Sequence, residues 1–302
     1  MSLRRLLQSA RFELFDALRS RRAVVLVTLY LVVSLLTMGG TIAALGKMEG
    51  QLSETLGLER LDGRSGLVSM TLWKSKTFQR IVRQAVDDPL VYEAIAGRHP
   101  AELLYAWLVF LLVPALTVLC TSGRVAGDVR SGAVRFMLTR VTRLEWSLGK
   151  YVGNALLVLC GLLVGAVAAW GMAAWKLSGA DLPALLPSMV GWSVKAWALS
   201  LAWLGLSLGI SHCFRTPGKA DGVAILMLFA FSVAPGVLRL LVSHAGLPGS
   251  LEVLASLFPS TNENALWRAS FVSVGLAGVW LLALGLCYLS VGHALFVRRD
   301  VR

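Results

Sequence analysis

The chain has 302 residues, 56% of them hydrophobic and only 15% charged, with a mean hydropathy of +0.70. That composition excludes the ordinary water-soluble classes and points to lipid as the solvent. The formal net charge of +12 would suggest nucleic acid in a soluble protein, but most of the excess lies in short segments beside apolar runs, so no nucleic-acid partner is expected.

In residues 1–22 the apolar positions Leu3, Leu7, Ala10, Leu14 and Leu18 recur at helical spacing, with arginines on the other faces. The pattern predicts an amphipathic helix lying in the membrane interface. Charges fill the segment before the first apolar run, so no cleavable signal peptide is read and the run should stay as an anchor. Six runs are long enough to cross a hydrocarbon core of about 30 Å. They are Ala23 to Leu45, Tyr105 to Thr121, Tyr151 to Trp175, Pro187 to Phe214, Gly222 to Val242 and Ser270 to Phe296. The fold class is therefore an all-α integral membrane protein of six transmembrane helices, forming a single transmembrane domain over 1–302.

Orientation follows from Lys and Arg in the short links. Residues 1–22, 123–150, 215–221 and 297–302 carry seventeen between them, against one each, Lys176 and Arg268, in the two short links on the other side. By the positive-inside rule both termini should be cytoplasmic, in a multi-pass protein of the cytoplasmic membrane. Trp170, Trp175, Trp192 and Trp267 then fall near the outer boundary, as an aromatic belt would.

The extracytoplasmic loop 46–100 is too long for a turn and too small for a confident core of its own; Phe78, Ile81, Val82 and Ala85 suggest one short amphipathic helix ending near Pro89. The outer link 243–269 is apolar in its middle but too short to cross, and is broken by Pro248 and Pro259, which fits a re-entrant or surface-lying pair of short helices. Its polar run, including Asn262 and Glu263, would sit at the outer mouth. Within the spans the clear charges are Lys195 and Arg239, both close enough to the outer boundary to snorkel; Lys195, Asn262 and Glu263 are the candidate substrate-pathway residues.

No segment matches the phosphate-binding loop GxxxxGK[ST], and Cys120, Cys160, Cys213 and Cys287 show no CxxC pairing, so neither an ATPase nor a metal or disulfide framework is read from the chain itself. Gly205 to Gly209 reads GLSLG, a GxSxG match in the fourth span, and His293 lies in the sixth. The pair superficially resembles rhomboid intramembrane serine proteases. Small residues at such spacing are, however, common packing devices in lipid, and both residues lie toward the inner face rather than the outer one that the resemblance requires. A membrane anchor or assembly factor that binds through the 46–100 loop is the other alternative.

The segment 123–150 is the most informative. Val134, Leu138, Val141 and Leu148 recur at helical intervals, Val129, Ala133 and Phe136 form a neighbouring stripe, and arginines stand between them. This predicts a short helix parallel to the membrane that presents a surface to a cytosolic partner. The run from Asp128 through Gly132, Phe136 with Met137 and Leu138, Thr139, Thr142 with Arg143, to Gly149 with Lys150 resembles the permease subunits of ATP-binding-cassette (ABC) type-2 exporters. The proline usual in that family's turn is absent around Val141, which leaves the turn's geometry open.

The resemblance implies the membrane-spanning half of an ATP-driven exporter. A second permease subunit, identical or paralogous, would pair with it, and a separate cytosolic ATPase would use ATP and magnesium, with no cofactor bound by this chain. The segment 123–150 would be the coupling helix. Its contact residues would be Asp128, Arg130, Gly132, Arg135, Phe136, Leu138, Arg140 and Arg143: apolar side chains to seat in the ATPase, arginines to pair with an acidic rim, and Gly132 to permit close approach.

Overall fold

A computed structural model describes residues 3–56, 75–86, 88–177, 182–245 and 250–298. Every regular element among them is helical: α1 (Leu3–Arg19), α2 (Arg21–Leu56), α3 (Lys76–Ala85), α4 (Pro89–Ile95), α5 (Pro100–Thr121), α6 (Arg124–Ser131), α7 (Ala133–Leu138), α8 (Arg143–Lys176), α9 (Leu182–Cys213), α10 (Pro217–Ala245), α11 (Ser250–Ala255), α12 (Glu263–Trp267) and α13 (Phe271–Val297), with a 3₁₀ turn at Pro259–Asn262. Six candidate spans, built on α2, α5 continued by α6, α8, α9, α10 and α13, are long and apolar enough to cross a membrane, at 26 to 34 residues each. At 1.5 Å per residue the shortest is about 39 Å, so all outrun the hydrocarbon core and carry their ends into the interfaces.

The central helix is α9, which packs against α5, α8, α10 and α13. Its contact with α13 is backbone to backbone. A methyl added to Gly205 or Gly285 would collide with the carbonyl of Gly285 or Leu201, and one on Gly292 would meet the carbonyl of Gly209. Lipid offers helices no hydrophobic drive to associate, so close approach through glycine supplies the dispersion contact instead. The GLSLG run is thus a helix-packing surface with no strained elbow. Ser207 shares a hydrogen bond with Thr121 (2.7 Å), whereas His293 bonds Ser147 (2.9 Å), so the structure does not bring together the serine and histidine of the protease alternative.

At the chain's start α1 runs through Ser20 almost continuously into α2, and it packs along α8 where Gly149 and Gly153 leave room. Its buried face is Ser9, Ala10, Glu13 and Ala17, while Leu7, Phe12 and Phe15 point outward. Of the expected stripe Leu7 is exposed, Leu14 half-buried and Ala10 buried; the side chains of Leu3 and Leu18 lie outside the described residues. The reason is that α1 meets α8 through small side chains and leaves its bulky apolar ones to the interface.

Opposite the arginine-rich end, α2 continues as far as Leu56, so part of the expected loop 46–100 is helical. The expected amphipathic helix is α3, and α4 follows it as a separate element, started by the Asp88 carboxylate on the Leu90 amide (2.9 Å) and by Pro89 in its first turn. The side chains of Phe78, Ile81 and Ala85, like all of residues 57–74, lie outside the described residues. The link before α13 is α11, the 3₁₀ turn and α12, short pieces broken at Pro259 as the sequence suggests; Pro248 lies outside the described residues.

Candidate functional site

The segment 123–150 forms two short helices instead of the single one expected. Gly132 separates α6 from α7 with φ +77°, a left-handed conformation that side chains disfavour. A Cβ there would meet nothing within 4 Å, so conformation and not crowding within the chain calls for glycine. The turn that lacks a proline is closed differently: Thr142 caps α8 by accepting from the Glu145 amide (3.2 Å), and Glu145 accepts from the Thr142 amide (3.0 Å). That reciprocal pair is a capping box.

One face of this pair of helices is fixed to the bundle. Val125 and Val134 are fully buried with Trp146, Leu204, Leu208 and Phe296, and Leu138 and Val141 pack against them. The opposite face carries Arg130, Arg135, Phe136 and Arg140, all exposed, with Phe136 at 80%. These four are the exposed members of the predicted set. The other predicted residues do not join them. Asp128 turns inward, Leu138 is half-buried, and Arg143 lies over the Phe296 ring and donates to the Val297 carbonyl (2.9 Å) at the end of α13.

Asp128 turns inward because Lys150 is there. The Lys150 ammonium lies 2.5 Å from Glu13 and 2.6 Å from Asp128, buried with Glu13 between α1, α6 and α8. Two carboxylates share one ammonium. Burial pushes the Glu13 carboxyl up, Lys150 pulls it down and Asp128 adds to the upward push; the net shift is upward. Two further pairs reach out from the same end: Arg124 to Asp16 on α1 (3.2 Å), and Arg22 at the start of α2 to Asp221 on α10 (2.8 Å), which also accepts from Ser122 (2.5 Å). The segment is tied to α1 and α8 by Arg124, Asp128 and Lys150, while the Arg22–Asp221 pair and Ser122 join the neighbouring ends of α2, α5 and α10. Sequence reading missed Glu13, Asp16 and Asp221 as partners; the one available signal was an acid among small residues on α1.

Beneath α7, Ser147 bonds both His212 Nε2 and His293 Nδ1 at 2.9 Å, and His212 Nδ1 lies 2.7 Å from the Leu208 carbonyl. A carbonyl only accepts, so His212 Nδ1 carries the proton; with His212 neutral, Ser147 donates to Nε2 and accepts from His293. The chain of bonds links α8, α9 and α13 in one direction.

At the other end, Lys195 stacks on Trp192 (4.3 Å) and donates to the Arg268 carbonyl (3.3 Å), a snorkelling contact. Asn262 donates to the carbonyls of Ser256 and Phe258, which closes the link. Glu263 lines a cleft of about 420 Å³ between α5 and α10, together with Trp107, Phe110, Leu111, Trp203 and Phe229. Burial raises its carboxyl above the ordinary carboxylate range, with a Trp267 hydrogen bond opposing. Of the three candidate pathway residues, Glu263 thus faces a cleft, while Lys195 and Asn262 make the local contacts described.

A family model described as ABC-2 family transporter protein matches residues 7–301. The chain belongs to the ABC-2 transporter family. It is a multi-pass membrane protein and the permease subunit of an ABC transporter, a type of membrane component that works with an ABC ATPase. No match is found among curated proteins.

Proposed function

We propose that this permease is half of an ATP-driven exporter in the cytoplasmic membrane, with both termini in the cytosol, and that the face of Arg130, Arg135, Phe136 and Arg140 docks a separate ATPase. One observation carries the reading: a large aromatic side chain stands 80% exposed among arginines on a helix whose other face is bonded into the bundle. An isolated exposed Phe has no local use, whereas an aromatic anchor ringed by Arg is a common energetic centre of an interface. Asp128, Gly132, Leu138 and Arg143 position this surface from beneath.

When the ATPase pair closes on ATP and magnesium, α6 and α7 would be displaced, and the Lys150 joint, the Arg22–Asp221 pair and the Ser147 histidine chain would carry that motion into α1, α8, α9, α10 and α13. The cleft between α5 and α10 supports a path along that face, shared with a second permease subunit, identical or paralogous. Its aromatic lining and single acid suit an amphipathic substrate.

The test is affinity purification of the full chain with its native complex, with wild type compared against Phe136→Asp and Arg135→Glu. Recovery of a phosphate-loop ATPase with the wild type and its loss with both variants is expected; retention by both would refute the docking surface.

A further inference from the structure

Where α1 turns into α2, a crevice of about 210 Å³ opens between α2 and α8, lined by Ala17, Ala23, Val24, Val27, Thr28, Leu157, Cys160, Gly161 and Val164. Its walls are almost wholly apolar. Gly161 gives it depth, since the nearest atoms to a Cβ there are the Val27 methyls at 3.7 and 3.9 Å. From Leu157 to Val164 the floor runs about 10 Å along the helix, room for a stretch of hydrocarbon chain. The crevice begins directly under α1, whose Leu7, Phe12 and Phe15 are exposed as on a helix lying at headgroup depth. Its rim is therefore at the phosphate level and its floor in the acyl region.

The charges at that rim are distinctive. Arg22 is held by Asp221 and Arg124 by Asp16, but Arg19 and Arg21 are exposed and make no ion pair among the described residues. Arg21, Val24 and Thr28 share one helical stripe, so Arg21 stands at the head of the wall that Val24 and Thr28 form. Arg19 lies instead on the outward face of α1, with Phe12, Phe15 and Asp16. The unpaired Arg21 guanidinium above an apolar slot matches the division of a phospholipid into anionic phosphate and acyl chain.

We propose that this crevice binds an anionic phospholipid of the leaflet on the arginine-rich side, with one acyl chain in the slot and its phosphate on Arg21. A zwitterionic lipid presents a compensating cation and is held less well; a general lipid-facing surface would not discriminate.

The test uses the full chain in vesicles of phosphatidylcholine doped with a trace of photoreactive phosphatidylglycerol that carries a diazirine on the acyl chain. Cross-links are mapped by peptide mass spectrometry. Labelling should concentrate on 23–28 and 157–164, be competed by unlabelled phosphatidylglycerol and not by phosphatidylcholine, and fall about fivefold in Arg21→Gln, on the order expected for removing one basic side chain from an anionic surface. Cys160→Phe, which fills the slot and leaves Arg21, should abolish labelling of those peptides while labelling elsewhere persists. Equal competition by the two lipids would overturn the proposal, as would labelling unchanged by Cys160→Phe. Absence of labelling at the crevice in the wild type would also overturn it and mark the face as covered by protein.

Discussion

The two ends of the bundle hold their charges in different ways. At the arginine-rich end, Glu13, Asp128 and Lys150 come from elements up to 137 positions apart in the chain, and the Glu13–Lys150 contact is 2% exposed on both sides. At the opposite end the pairs are local or open: Arg98 to Glu102 one helical turn away (3.0 Å), and Arg268 to Asp88 (2.8 Å) with more than a quarter of each side chain exposed. A buried pair costs desolvation and is a poor way to add stability, yet removing one partner leaves an uncompensated charge, so it fixes one arrangement against others. Rigid registry thus lies where the proposed docking surface meets the bundle, and looser contacts at the other end.

Substitutions at the two ends test this contrast. The largest effect is expected from Lys150→Met, which strands two carboxylates and should cost about 3–5 kcal/mol, read as a large fall in the thermal midpoint of the detergent-solubilised protein. Glu13→Gln/Asp128→Asn added to it should recover much of the loss; no recovery would mean that packing, not charge, dominates the site.

Next is Glu102→Leu at the opposite end. Glu102 Oε1 accepts from Arg98 (3.0 Å), from Trp192 Nε1 (3.0 Å) and closely from Ser188. Orphaning the buried indole N–H should cost about 1–3 kcal/mol, less than the loss of Lys150 because the guanidinium can turn to water. Equal losses at the two sites would erase the distinction drawn above.

A smaller change is expected from Asp88→Asn. The Arg268 hydrogen bond holds the Asp88 carboxyl below its ordinary value. A depressed carboxyl adds stability that is fully present above its unfolded pKa, near 4 on the order of model compounds, and is lost as pH falls through the lower folded value. Wild type and variant midpoints should therefore differ slightly at neutral pH and converge under acid; a gap that widens under acid would contradict the pairing. Smallest of all is Phe136→Asp, which touches little within the chain and should leave the midpoint within about 0.5 kcal/mol of wild type. That neutrality is what makes it a clean probe of docking.

Much of this architecture was legible in the sequence, because six apolar runs of bilayer length admit few other readings and Gly132, Phe136 and the arginines stand in a patterned segment. What escaped is physical in origin. In lipid both the surroundings and the core are apolar, so hydrophobic spacing no longer says which face is inside; of one apolar stripe Leu7 is exposed, while Ala10 packs with Glu13. Contact between α1 and α8 depends on Gly149 and Gly153, and only that contact brings Glu13 to Lys150. The inward turn of Asp128 follows from the same distant pairing. Ser207 and His293 illustrate the converse, where a motif satisfied by spacing dissolves once the helices are seen to pack through its glycines.

The most direct test of the docking account is site-specific photo-cross-linking from position 136, with Phe136→p-benzoylphenylalanine in the full chain expressed in its own membrane. The account predicts a covalent adduct with a phosphate-loop ATPase, which Arg135→Glu weakens while the thermal midpoint stays unchanged. Adducts confined to lipid or to other parts of the same chain, in preparations where an ATPase co-purifies, would contradict it.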